Sequence, residues 1–191
     1  MIDQTVAVPA GPPAHRQQQR RRRRMLNPRW RKVMLTLHVG ISVGWLGSAY
    51  GMIVLGLVAM SDADPNLRYG AYVMLHHSDR MIMIPGSAAA LATGIVVSMF
   101  TQWGLVKHFW VLTKLVLTVS AMLFAALFVS QQVKAAVALT MHGAQVDLGT
   151  VGWKIVLGSA AMFVILATNT VLSVFKPWGR TRWGRKALPR R

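Results

Sequence analysis

The chain has 191 residues, of which 53% are apolar and 14% charged, and its 22 Lys and Arg outnumber five acidic residues to give a formal net charge of +17. Long charge-free stretches at this composition point to a membrane protein, and the absence of cysteine excludes disulfides, iron–sulfur ligation and thiol catalysis. The positive charge would suit nucleic acid, but nine of the basic residues lie before residue 33 and seven at or after Lys176. Charge confined to the two tails of an apolar chain reads as a topology and lipid-surface signal, so no nucleic-acid partner is expected.

Residues 1–27 hold Pro9, Pro12, Pro13, a Gln run and Arg20 to Arg24. This segment cannot bury apolar surface and is expected to be a disordered basic tail. The apolar segment after it is too long for the h-region of a signal peptide, and no small-residue cleavage site closes it. The tail therefore reads as an electrostatic contact with anionic lipid.

Four apolar segments follow, at about 33–60, 72–100, 108–133 and 151–175. Each reaches the ~20 residues that a bilayer requires. Backbone groups in lipid must bond internally, so all four should be helices. The expected fold is all-α, a four-transmembrane-helix bundle over residues 28–178, followed by a basic C-terminal tail at 179–191. The loop between spans two and three carries Lys107, whereas the other two loops hold Asp62, Asp64 and Asp147, with Arg68 as the strong base. The positive-inside rule then puts both termini in the cytoplasm. Trp30, Trp103, Trp153 and Trp178 fall near span ends, as interfacial aromatic belts do. Small residues recur at helical spacing: Gly40, Gly44, Gly47 and Gly51 in span one, Gly86, Ala90 and Gly94 in span two, Gly158 to Ala161 in span four. Such stripes let helices approach closely.

Polar groups within the spans are costly and each needs a reason. His38 lies six residues after Lys32, and Lys114 six after His108, so both stand roughly 9 Å of helix rise inside the same boundary. The two side chains can face one another at one level. A neutral imidazole and a neutral amine can both ligate a metal. Against this, a histidine one or two turns into a span is commonly a packing residue, and a lysine there can snorkel to the surface. A second cluster holds His76, His77, Asp79 and Arg80, with His142 in the last outer loop. His–Asp sets bind copper or zinc, although adjacent histidines point to different sides of a helix, while His76 and Arg80 share a face. Asn169 reads as an interhelical hydrogen-bonder. No phosphate-binding glycine loop, H-E-x-x-H or nucleophile elbow is present.

His38-Val-Gly-Ile-Ser-Val-Gly-Trp45-Leu-Gly47 resembles the first span of HemJ-type protoporphyrinogen oxidases, in which a histidine precedes a tryptophan by seven residues. Asp79-Arg80 through Pro85, with Thr93-Gly94, resembles their second span, and Trp110-Val-Leu-Thr-Lys114 their third. Thr93-Gly94 through Trp103-Gly104-Leu to His108-Phe-Trp110 and Lys114 is more closely similar to a bacterial family of small four-helix membrane proteins carrying a domain of unknown function. CopD-like membrane domains are a distant likeness. The resemblance spans roughly residues 33–120. After Gly47 the basic and aromatic residues of the HemJ pattern give way to Ala49-Tyr-Gly-Met-Ile-Val-Leu. What the resemblance implies is haem binding, with His38 as axial ligand and Lys114 as its essential partner.

Three functions are thus open. The first is a multi-pass protein of a bacterial plasma membrane holding haem b between spans one and three, with a redox-associated role. The second is a cofactor-free scaffold or subunit. The third is a copper-handling protein using His76, His77 and His142. Expected partners are the bilayer, anionic lipid on the basic tails, and a second copy of the chain or a membrane redox protein.

Overall fold

A computed structural model describes residues 27–61, 64–101, 104–141, 148–182 and 185. The tail at 1–26, Asp62, Trp103, His142, Asp147 and most of 183–191 lie outside the described residues. Within them the chain is all-helical and has no strand. Four helices are long and apolar enough to cross a membrane: α1 (Pro28–Ser61), α2 (Pro65–Phe100), α3 (Phe109–Thr140) and α4 (Val151–Phe175).

Helix α4 has the bounds expected from hydropathy, but the others are longer. Helices α1 and α2 begin at Asx-Pro pairs. The Asn27 side chain accepts from the Arg29 N–H at 3.3 Å, and the Asp64 side chain accepts from the Asn66 N–H at 2.9 Å. Each pair supplies a capping oxygen followed by a proline whose missing N–H is not needed in the first turn. The helices therefore start before the apolar stretch does. Helix α3 likewise continues past Lys134.

Two single π-helical turns interrupt the spans, at Asp79–Met83 in α2 and Ala125–Val129 in α3. The first has a plain cause. Pro85 cannot donate to Met81, and its ring crowds that carbonyl, so the preceding turn widens and Ile84 N–H reaches Asp79 O. In the second, Ser130 N–H bonds Ala125 O, and the Gln131 side chain donates to Ala126 O at 3.3 Å.

The helices pack in sequence as a square. Helix α1 contacts α2 and α4, and α3 contacts α2 and α4, while α1 and α3 face each other across a diagonal without substantial contact. Trp45, Met52, Tyr72, Leu75, Val133, Ile155 and Met162 form the centre of the core. One end of the bundle, the near end, carries Pro28, Phe100, Phe109 and Phe175; the far end carries Ser61, Pro65, Thr140 and Val151.

Small residues do mediate close approach, though not at all the expected positions. A Cβ on Gly56 would lie 2.9 Å from Val156, one on Gly158 2.9 Å from Val129, and one on Gly94 3.1 Å from His38. In contrast, a Cβ on Gly40, Gly44, Gly47 or Gly51 would meet nothing within 4 Å. The glycine stripe of span one thus lies off the intramolecular interfaces. Beyond α4, residues 179–181 are docked on the bundle: Thr181 N–H bonds Lys107 O at 2.9 Å and its hydroxyl donates to Val106 O at 2.6 Å.

Candidate functional site

Helix α1 presents its aromatic residues to glycines of α2 at two levels. The half-buried imidazole of His38 lies over Gly94, and the buried indole of Trp45 lies over Gly86, where a Cβ would stand 3.8 Å from the ring. Seven residues separate the aromatics and eight the glycines. In an antiparallel pair these offsets correspond to roughly 10.5 and 12 Å of rise, so both rings find a gap. The His38-to-Trp45 spacing in the sequence reports this seating, and the matching Gly86-to-Gly94 spacing on α2 was there to be read.

The hydrogen bonds around His38 favour one tautomer. His38 Nδ1 is 2.9 Å from Thr93 Oγ1. The Thr93 hydroxyl also lies 2.7 Å from Ala89 O and 3.2 Å from Ala90 O, to which it donates. A hydroxyl has one hydrogen. With that hydrogen directed to a carbonyl, His38 Nδ1–H is the donor to Thr93, and the lone pair resides on Nε2. Metal-bound histidines are held in this way by a hydrogen bond from the distal ring nitrogen.

Lys114 on α3 is half-buried and directed to α4, where its amine donates to Ser173 Oγ. The Ser173 hydroxyl in turn donates to Asn169 O at 2.9 Å, and Asn169 Nδ2 donates to Thr118 Oγ1 at 3.3 Å. Lys114 and Thr118 are one turn apart, as are Asn169 and Ser173, so the four form a polar seam between α3 and α4. Asn169 is buried and its Oδ1 has no hydrogen-bond partner among the described residues. His38 and Lys114 are near enough to interact electrostatically, yet each bonds a different neighbour and they share no hydrogen-bond partner. Asn169 therefore does bond between helices, and it belongs to the same seam as Lys114.

The second cluster lies in the far-end half of α2. His76 is half-buried and His77 exposed, with ring centroids 6.1 Å apart. Asp79 lies in regular helical phase with the buried Tyr72 and Leu75 and points into the core at 2% exposure, while Arg80 is exposed. No group of three or more His, Asp or Glu side chains suited to a metal occurs among the described residues, and His142 lies outside them. Sequence reasoning singled out His76 and Asp79 but missed Ser130 and Ser159 as polar groups: Asp79 Oδ2, His76 Nδ1, Ser130 Oγ and Ser159 Oγ have no hydrogen-bond partner among the described residues. Their signal was present only in part, because single serines in apolar helices are common.

The chemistry that the near-end site offers is an imidazole nitrogen on α1 and an ammonium or amine on α3 within electrostatic reach of it. No protein-family model matches this chain, and no curated protein or solved structure matches it either.

Proposed function

We propose that this four-helix membrane protein binds haem b through His38 and takes part in membrane redox chemistry. The observation that carries the reading is the Nδ1–H to Thr93 hydrogen bond, which leaves His38 Nε2 as a donor at a part-buried position in the bundle. The His38-to-Trp45 and Trp110-to-Lys114 spacings, which resemble HemJ-type spans, support it. The residues fit an axial ligand and a nearby charge. Lys114, hydrogen-bonded to Ser173, suits a carboxylate such as a haem propionate better than the iron. Bound haem would supply one-electron chemistry; the chain would fix the imidazole, exclude bulk water and set the local charge. The basic tails and Lys107 support cytoplasmic termini in a bacterial plasma membrane.

The test is an absorption spectrum of the protein purified in mild detergent, with and without added haem. A reduced-minus-oxidised Soret and α-band pattern that vanishes in His38→Ala is the expected result. A colourless protein that takes up no haem overturns the reading. One set of observations favours a second reading, a cofactor-free scaffold: the His38–Thr93 bond staples α1 to α2, and the Lys114–Ser173 and Asn169–Thr118 bonds staple α3 to α4.

A further inference from the structure

The near end of the bundle holds a groove that the haem reading does not use. Helix α4 ends at Phe175, and Lys176 (φ 44°) and Trp178 (φ 67°) both adopt the left-handed conformation without being glycine. Such backbone is strained and persists where surrounding contacts hold it. Here it turns the chain back across the start of α3. Thr181, 2% exposed, is tied to Val106 O and Lys107 O, and Arg180 pairs with His108 as a short antiparallel bridge. The turn borders an open groove of about 560 Å³ lined by Phe109, Thr113, Trp178, Gly179, Arg180 and Arg185.

The lining has a definite chemistry. It contains two guanidinium groups and no carboxylate. The carboxylates among the described residues are Asp64 and Asp79, at the far-end start of α2 and in its outer half, so neither can neutralise this pair. The groove also stands at the N-terminal, positive end of the α3 dipole. Its apolar wall is open: Phe109 is 46% and Trp178 59% exposed, where a membrane-spanning helix meets the interface. Paired arginines, a hydroxyl and two aromatics at the rim of the hydrocarbon match one class of ligand. We infer that this groove binds the phosphate of an anionic glycerophospholipid from the adjacent leaflet. The guanidiniums of Arg180 and Arg185 hold the phosphate, Thr113 offers a hydroxyl, and Trp178 and Phe109 flank the upper acyl chains. This is a built site, distinct from the diffuse attraction of the arginine-rich tails, and it does not depend on haem.

The full-length protein in mild detergent, offered phosphatidylglycerol or phosphatidylcholine and examined by native mass spectrometry, provides the test. The wild-type chain should retain one phosphatidylglycerol in preference to phosphatidylcholine. Arg180→Gln with Arg185→Gln should lower that retention roughly 30-fold, from the contribution of two interfacial cations. Substitution by Gln of Lys134 and Lys154, exposed cations toward the far end, should leave it unchanged. Inorganic phosphate at millimolar concentration should not displace the lipid; displacement would mean that the groove is a free-phosphate site and would overturn the lipid assignment. Equal retention of the two lipids by the wild-type chain, a comparison that needs no variant, would overturn it as well, as would full retention by the double variant.

Discussion

Gly94 lies so close to His38 that a Cβ on it would stand 3.1 Å from the imidazole Cε1. The ring therefore occupies space that only glycine leaves open. Gly94→Ala should push the imidazole by a few tenths of an ångström and destabilise the bundle by about 1–3 kcal/mol, the usual range for overpacking. Gly86→Ala is the control. Its Cβ would meet Trp45 at 3.8 Å, an ordinary contact, and its effect should stay within about 1 kcal/mol because alanine also favours the helix. Thermal unfolding in detergent compares the two. Equal melting temperatures for both variants would mean that the ring is not seated as described.

The Thr93 hydroxyl orients His38, so its removal should act on haem more than on the fold. Thr93→Val leaves Nδ1 without its acceptor and should weaken haem binding about 10- to 100-fold, as loss of such supporting hydrogen bonds does elsewhere. Thr93→Ser keeps the oxygen and should restore most of the affinity. Haem titration followed at the Soret band reads both. Identical affinities in the wild type and Thr93→Val would separate His38 ligation from this hydrogen bond.

The span centres were legible in the sequence because hydropathy reports the solvent that each segment faces, and Val151–Phe175 was placed to the residue. Helix ends were less legible, because hydropathy does not report where a helix starts. Asn27-Pro28 and Asp64-Pro65 carried that signal as caps, and they extend α1 and α2 beyond their apolar stretches. The π-turn at Asp79–Met83 was hidden for a related reason. Pro85 announces a disturbed helix, but only the folded structure shows which turn widens. The glycines of span one misled in the opposite sense. Gly40, Gly44, Gly47 and Gly51 have the spacing of a packing stripe, yet spacing does not say which face meets a neighbour. At the site, the six-residue offsets from Lys32 and His108 suggested matching depths for His38 and Lys114. They could not show that Thr93 and Ser173 take one hydrogen bond from each.

Orientation follows from the distribution of Lys and Arg. Reporter fusions at both termini should report cytoplasm, and insertions at the α1–α2 and α3–α4 junctions should report the opposite side. The near end carries Arg29, Arg31, Lys32, Lys107, Lys176 and Arg180, whereas the far end carries Asp64 with Arg68 and Lys154. Replacing the near-end bases by Gln should weaken the bias, and moving three or four of them to the far end should invert it in part of the population. A cytoplasmic signal from the α3–α4 junction in the wild type would reverse the assignment of ends and place the proposed lipid groove in the other leaflet.

Lys114 separates the haem reading from the scaffold reading. As a staple, its bond to Ser173 should resemble other interhelical hydrogen bonds in membranes, which average about 0.6 kcal/mol and reach about 1.7. Ser173→Ala and Lys114→Met should then destabilise the bundle by similar small amounts, and the double variant should cost no more than the larger single, because both remove one bond. As a partner of a haem propionate, Lys114 contributes a charge as well. Lys114→Met should then lower haem affinity about tenfold or more, within the range of a charge-assisted hydrogen bond, while Ser173→Ala leaves the amine in place and changes affinity less. Lys114→Arg keeps the charge and should recover part of the loss, which methionine cannot. The measurements are haem titration and thermal unfolding on the wild type and these four variants. A Lys114→Met protein that binds haem as tightly as the wild type would remove Lys114 from the site and leave it as a structural residue of the α3–α4 seam.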